Sequence, residues 1–187
     1  MGPVILYHIS EQPGIRVFEP RPVENESSGV KGSAVWAIDE EHLPNYLLPR
    51  DCPRVTYFVD HGTTEADAQR FFGGTHAKRI IAVETGWFER ITRQRLYRYE
   101  FGGAGFGCVD TTAGYYVSRT AVTPVKETAI DDPLSLLVQS GVELRVTPLL
   151  WRLREQVIHS TLGYSIIRMR NAEAPPEGAG RYHPLPE

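Results

Sequence analysis

The chain is a run of short β-prone segments followed by helical ones, and that order constrains its fold more than any other feature. In the opening stretch, Met1 to Ser10, Val4, Leu6 and His8 alternate with Ile5, Tyr7 and Ile9. A strand sends successive side chains to opposite faces, so apolar residues on both predict a central strand. Ala34–Ile38, Arg54–Asp60 and Arg79–Glu84 are short runs rich in β-branched and aromatic residues, which suit a pleated surface. Arg95 to Phe101 sets Leu96, Arg98 and Glu100 against Tyr97, Tyr99 and Phe101, a strand with one wet face. Tyr115–Ser118, Val122–Ile130 with a kink at Pro124, Val142–Val146 and Ser165–Met169 are further strand segments.

Helix signals lie between and after these. Asp39, followed by Glu40 and Glu41, opens a short helix that Pro44 limits and Pro49 ends. Thr63 or Thr64 caps a helix through Phe72, closed by Gly73-Gly74. Gly86 to Thr92 is a turn or short helix. Asp132-Pro133 starts a helix that stops before Gly141, and Thr147-Pro148 starts another, predicted to reach Leu162. Strands in the middle and helices at the end predict an α+β fold, with a mixed, largely antiparallel sheet and C-terminal helices, rather than a doubly wound one. With 187 residues, residues 1–172 are expected to form a single domain. Residues 173–187, with Pro175, Pro176, Pro184 and Pro186, are expected to be a flexible tail.

Composition narrows the function classes. The net charge is −3 and the pI is near 6.1, which argues against a protein that coats nucleic acid. No apolar run approaches the ~20 residues of a membrane span, and a charged n-region followed by an apolar stretch is missing at the start. A cytoplasmic protein with no membrane partner is expected. Cys52 and Cys108 form no Cys-x-x-Cys pair, and the histidines fall in no metal-ligand spacing. No metal is expected.

Several residues remain as candidates for chemistry. His8 sits in mid-strand on a mostly apolar face, either as a core histidine or as a site residue. Phe101 to Gly107 is glycine-rich but lacks a following Lys-Ser/Thr and a helix start, and reads as a turn rather than a phosphate loop. Cys52, in Pro49-Arg50-Asp51-Cys52-Pro53-Arg54, is either a buried cysteine in a stiff turn or a thiolate favoured by two arginines. The basic residues are 17 Arg against 3 Lys. Arg21, Arg50, Arg54, Arg168 and Arg170 stand in short motif-like segments, where a guanidinium fork suits phosphate or carboxylate.

Five segments look familiar together: Leu6-Tyr7-His8-Ile9-Ser10, Phe18-Glu19-Pro20-Arg21-Pro22, Val35-Trp36-Ala37-Ile38-Asp39, Pro49 to Arg54, and Ser165 to Ala172. They resemble a bacterial family of unknown function over nearly the whole chain up to Ala172. More distantly, a first-strand histidine, then a loop, a short aromatic strand and a helix resemble the opening of ADP-ribosyltransferase-like domains. Gly114–Ser118 followed by Val122–Val125 resembles their late strands. That resemblance implies a split core, NAD as cofactor, His8 on the ribose, and Trp36 or Tyr46 stacked on nicotinamide. Tyr115 or Tyr116 stands where many active members carry a glutamate, so Glu84 or Glu100 would have to supply that carboxylate.

Three readings follow. The first is an ADP-ribosyltransferase-like domain that binds NAD or a related nucleotide, with His8, Tyr115 and Tyr116 at the reacting centre. Arg21, Trp36, Tyr46, Arg50, Arg54, Arg168 and Arg170 would line its cleft. The second is a non-enzymatic module for an anionic small molecule or a protein partner. The third is a cysteine hydrolase using Cys52.

Overall fold

The structure is a computed structural model that describes residues 4–23 and 29–175. Its strands are β1 (Ile5–Ser10), β2 (Arg21–Pro22), β3 (Ser33–Ile38), β4 (Arg54–Phe58), β5 (Arg79–Glu84), β6 (Leu96–Gly102), β7 (Gly107–Asp110), β8 (Tyr115–Ser118), β9 (Lys126–Ile130), β10 (Val142–Thr147) and β11 (Gly163–Ile167). Its helices are α1 (Glu65–Phe72), α2 (Phe88–Arg93), α3 (Pro133–Gln139) and α4 (Trp151–Ile158). The fold is α+β. The chain forms two compact units, Met1–Arg50 with Gln94–Pro133, and Asp51–Arg93 with Leu134–Glu187. The first crossing falls between Arg50 and Asp51, inside the Pro49–Arg54 motif. Residues 176–187, the greater part of the expected tail, lie outside the described residues.

The first unit is a sheet in the order β7-β8-β3-β1-β6-β9, antiparallel throughout, with β2 added beside β3. Leu6, Phe18, Val35, Ala37, Tyr99 and Phe101 pack as an apolar core on one face. Phe18 is its hub, meeting His8, Tyr99 and Phe101 edge-on at 5.0 Å each, the arrangement aromatic quadrupoles favour. The second unit orders its strands β10-β5-β4-β11, with β10 parallel to β5 and the rest antiparallel. Its core joins Val55, Tyr57, Phe71, Phe72, Ile80, Ala82, Leu150, Val157 and Leu162. Every residue of β5 is buried, as expected for a central strand covered on both sides.

Thr64 caps α1 as expected, its hydroxyl accepting the Asp67 amide. Two expected helices change. The segment after Asp39 is a turn and a short 3₁₀ segment, Leu43–Tyr46. Asp39 spends its carboxylate on the backbone and side chain of His42, a local bond that competes with helix formation. Thr147-Pro148 does not open the last helix: Thr147 ends β10, and the Leu150 amide at the start of α4 is taken by the buried Glu84. A side chain distant in sequence thus does the work expected of the local cap. Of the segment Val122–Ile130, only Lys126–Ile130 is strand, and Val122 forms a lone bridge to Phe18.

Candidate functional site

The distinctive place in the first unit is an interrupted edge of β3. In an antiparallel strand the backbone groups of alternate residues point to the same edge. On β3 those residues are Ala34, Trp36 and Ile38. Ala34 is met by Arg21 of β2 and Ile38 by Tyr7 of β1. Between them no strand meets Trp36. Its carbonyl is taken instead by the side chain of His8, with Nδ1 3.0 Å away. A carbonyl only accepts, so Nδ1 carries the proton and Nε2 is left with its lone pair. The pairing of β1 with β3 stops at one residue because an imidazole occupies the seam.

Two arginines surround that imidazole. Burial holds the His8 pKa below its ordinary value; the bond to Trp36 pulls the other way, and the positive charges of Arg50 and Arg21 add to the lowering. His8 is therefore neutral at pH 7. Arg21 and Arg50 are exposed. The Arg50 amide donates to Glu11 at 2.9 Å, which fixes the backbone there. Among the described residues, arginine ion pairs engage Arg93, Arg95, Arg98, Arg145, Arg154 and Arg168; none is found at Arg21 or Arg50.

Strand register sorts the aromatic candidates. Directly paired residues share a face, so His8, Tyr99 and Glu127 stand in one row across β1, β6 and β9. The register of Tyr7 with Ile38 continues that row to Ala37, which pairs with Tyr116, which pairs with Cys108. Tyr116 is thus on the His8 face. Trp36 and Tyr115 are on the other, edge to face at 5.6 Å, and the Tyr46 hydroxyl donates to that of Tyr115 at 2.8 Å. Trp36 contributes its carbonyl to the notch and its indole to the far side. Arg21 leaves β2 on the Trp36 side as well, and its charge still reaches His8 because the edge between them is open.

The remaining candidates stand elsewhere. Arg54, Arg168 and Arg170 belong to the second unit. Arg54 is 2% exposed and donates to the Cys52 carbonyl at 3.1 Å, so its guanidinium is turned inward rather than toward a ligand. Arg168 has a left-handed backbone, φ +58°, and lies 3.8 Å from Asp51. Asn171 donates to the Asp51 carbonyl at 2.7 Å. The motif around Asp51 and the Ser165–Ala172 motif are thereby joined, and Arg170 remains exposed beside them. Cys52 is fully buried, and burial pushes its thiol up to about 12. That corrects the cysteine-hydrolase expectation, because a nucleophilic cysteine must reach the thiolate.

Neither carboxylate suggested for the reacting centre is placed for it. Glu84 is fully buried in the second unit, where its oxygens accept the Leu150 and Glu173 amides at 3.2 and 2.9 Å. Glu100 pairs with Tyr7, on the face opposite His8, and is held by Arg98 and Lys126. The glycine-rich segment turns back on itself: Gly103 donates to Val4 and Phe106 to Gly103, so those amides cradle nothing.

Sequence reasoning missed Phe18, Tyr99 and Glu127 around His8, and the Asp39–His42 pair. His42 Nδ1 lies 2.7 Å from Asp39. Gly114, at φ +67°, packs so close that a Cβ there would collide with the imidazole. The alternation Tyr97, Tyr99, Phe101 marks the face of Tyr99, but only cross-strand register puts it beside His8.

Fold and site define an α+β protein whose candidate chemistry lies in a break in an antiparallel sheet. The chain belongs to a family of unknown function, DUF6886, which matches residues 7–172 and so includes His8, Arg21, Trp36 and Arg50. That match carries no activity and no support for the ADP-ribosyltransferase-like resemblance. No curated protein and no solved structure matches the chain. No helix among the described residues is long and apolar enough to cross a membrane, and no group of three or more potential metal ligands occurs among them.

Proposed function

We propose that the first unit binds a nucleotide or a related small anionic ligand at the β3 notch. The observation that carries this reading is the neutral, tautomer-fixed His8 with two unpaired arginines in electrostatic reach. Guanidinium forks at Arg21 and Arg50 suit phosphate oxygens, and Nε2 of His8 is an acceptor for a ligand hydroxyl. The Trp36 indole, beside the opening on the other face, offers a flat surface for a ring. This keeps the nucleotide-binding part of the ADP-ribosyltransferase-like reading. It does not keep transfer, because departure of nicotinamide leaves a cationic centre and the surroundings of His8 are themselves positive. NAD is on this reading a ligand to be tested, not a substrate.

Calorimetry with NAD, ADP-ribose, ADP and AMP tests it. Binding of at least one is expected, weakening as salt rises, and weakening about tenfold in Arg21→Ala or Arg50→Ala, the loss of one charged hydrogen-bonding partner. No heat with any of the four overturns the reading.

A further inference from the structure

The segment between β1 and β2 carries Phe18 and then Arg21 past His8, and it is tied down from one side. The Tyr99 hydroxyl donates to the Gln12 carbonyl at 2.8 Å and accepts the Ile15 amide at 3.2 Å. The Glu127 carboxylate accepts the Gly14 amide at 3.0 Å, where the chain turns with φ +70°. Both side chains belong to the row that contains His8. Farther along, Phe18 and Val122 exchange both backbone hydrogen bonds, at 2.8 and 2.9 Å, and Phe18 lies edge-on to the imidazole. A loop of this length would otherwise spread its end over many positions, each with its own entropy. Here four consecutive ties fix the path from Gln12 to Phe18, three residues before Arg21.

We infer that Tyr99 and Glu127 are positioning residues, which hold residues 12–18 as a fixed strap and so place Phe18 and Arg21 against His8 before any ligand arrives. Neither touches the notch ligand; both act through the strap. Preorganisation of this kind lowers the ordering cost of binding. The inference rests on the reading of the notch as an anion site only for its effect on affinity; the strap itself is a claim about the free protein.

The test separates the two. Amide hydrogen exchange is measured on the full, ligand-free chain. Glu127→Ala is expected to speed exchange at Gly14 about tenfold, the value of one hydrogen bond. Glu127→Gln, which keeps an acceptor oxygen, is expected to restore protection. Tyr99→Phe is expected to do the same at Ile15. Because Tyr99 is fully buried and its variant risks general destabilisation, the exposed Glu127 pair is decisive. Unchanged exchange at Gly14 in Glu127→Ala overturns the strap. ADP affinity is then compared in the same variants. A roughly threefold weaker ADP affinity in Glu127→Ala, restored in Glu127→Gln, supports the positioning role. Faster exchange with unchanged affinity overturns it. If the unaltered protein binds no ADP, the anion reading falls, and the strap is judged by exchange together with the His8 imidazole resonance. That resonance should titrate closer to the ordinary histidine value when Arg21 is released, and an unmoved titration overturns the placement of Arg21.

Discussion

The two units hold the same kinds of polar residue in opposite ways. In the second, the buried polar groups face their own backbone. Glu84 accepts two amides, Arg54 donates to a carbonyl, and Cys52 donates weakly to the Pro53 carbonyl at 3.5 Å. In the first, the His8 imidazole spends one nitrogen on a backbone carbonyl and keeps the other, with two exposed arginines beside it. Saturated groups stabilise a fold; groups with a remaining valence can meet a ligand. The comparison teaches that burial alone does not separate structural from functional polar residues, and that counting used and unused hydrogen-bonding capacity does.

The sharpest way to break it is at Glu84. Glu84→Ala removes the acceptor for two amides in a region where water cannot replace it. Each unsatisfied group costs about 1–3 kcal/mol, so a loss of about 3 kcal/mol in denaturant unfolding is expected. Glu84→Gln retains one acceptor oxygen and should lose less. Ligand binding by the folded fraction should stay unchanged. Near-neutral Glu84→Ala stability would remove the claim that the second unit uses its carboxylate structurally. The same unit gives a chemical test. A thiol reagent at pH 7.5 should label exposed Cys108 in the native protein and reach Cys52 only on unfolding. Rapid double labelling, read by mass, would contradict the buried, protonated Cys52.

The mirror experiment is at the notch. Arg21→Ala and Arg50→Ala alter exposed side chains without ion pairs, so their stability should stay within about 0.5 kcal/mol of the parent. Affinity for a nucleotide should fall about tenfold in each. A variant that loses stability and keeps affinity would assign its arginine to the fold, and the contrast between the units would fail at that residue.

Much of the fold is legible in the sequence. Alternation and β-branched content mark β1, β3, β4, β5, β6 and β8, and Thr64, Pro133 and Gly141 mark helix boundaries, because these are local effects. What depends on partners far along the chain is not legible. The start of α4 is set by Glu84, 66 residues before Leu150. The helix expected after Asp39 loses to a bond with His42 that no propensity scale contains. The site divides along the same line. His8, Arg21 and Arg50 stand out by residue type and local setting, whereas Arg54 and Arg168 have the same local look and are sorted into another unit. Register alone separates Tyr116 from Tyr115, which are neighbours in sequence and lie on opposite faces of the sheet.

The smallest effect expected is in the pH dependence of stability, and it also distinguishes the units. Burial lowers the folded pKa of His8, so below its unfolded value, near 6.5, the unfolded chain binds the proton more readily. The contribution of His8 is then complete above about pH 6.5 and declines as the pH falls toward the folded pKa. In the second unit the shifts run among carboxylates. Asp67 is held low by the hydroxyl and amide of Thr161, and Glu143 by Thr75 and then Arg145. Their contributions are present above about pH 4 and are lost below it. Denaturant unfolding followed from pH 8 to pH 3 should therefore decline in two windows. His8→Asn keeps a donor for the Trp36 carbonyl and cannot titrate, so it should flatten the window below pH 6.5 and leave the acid one alone. Asp67→Asn should do the reverse. If His8→Asn leaves the upper window as steep as before, the imidazole is not held neutral in the seam, and the first unit would lose the feature that sets it apart.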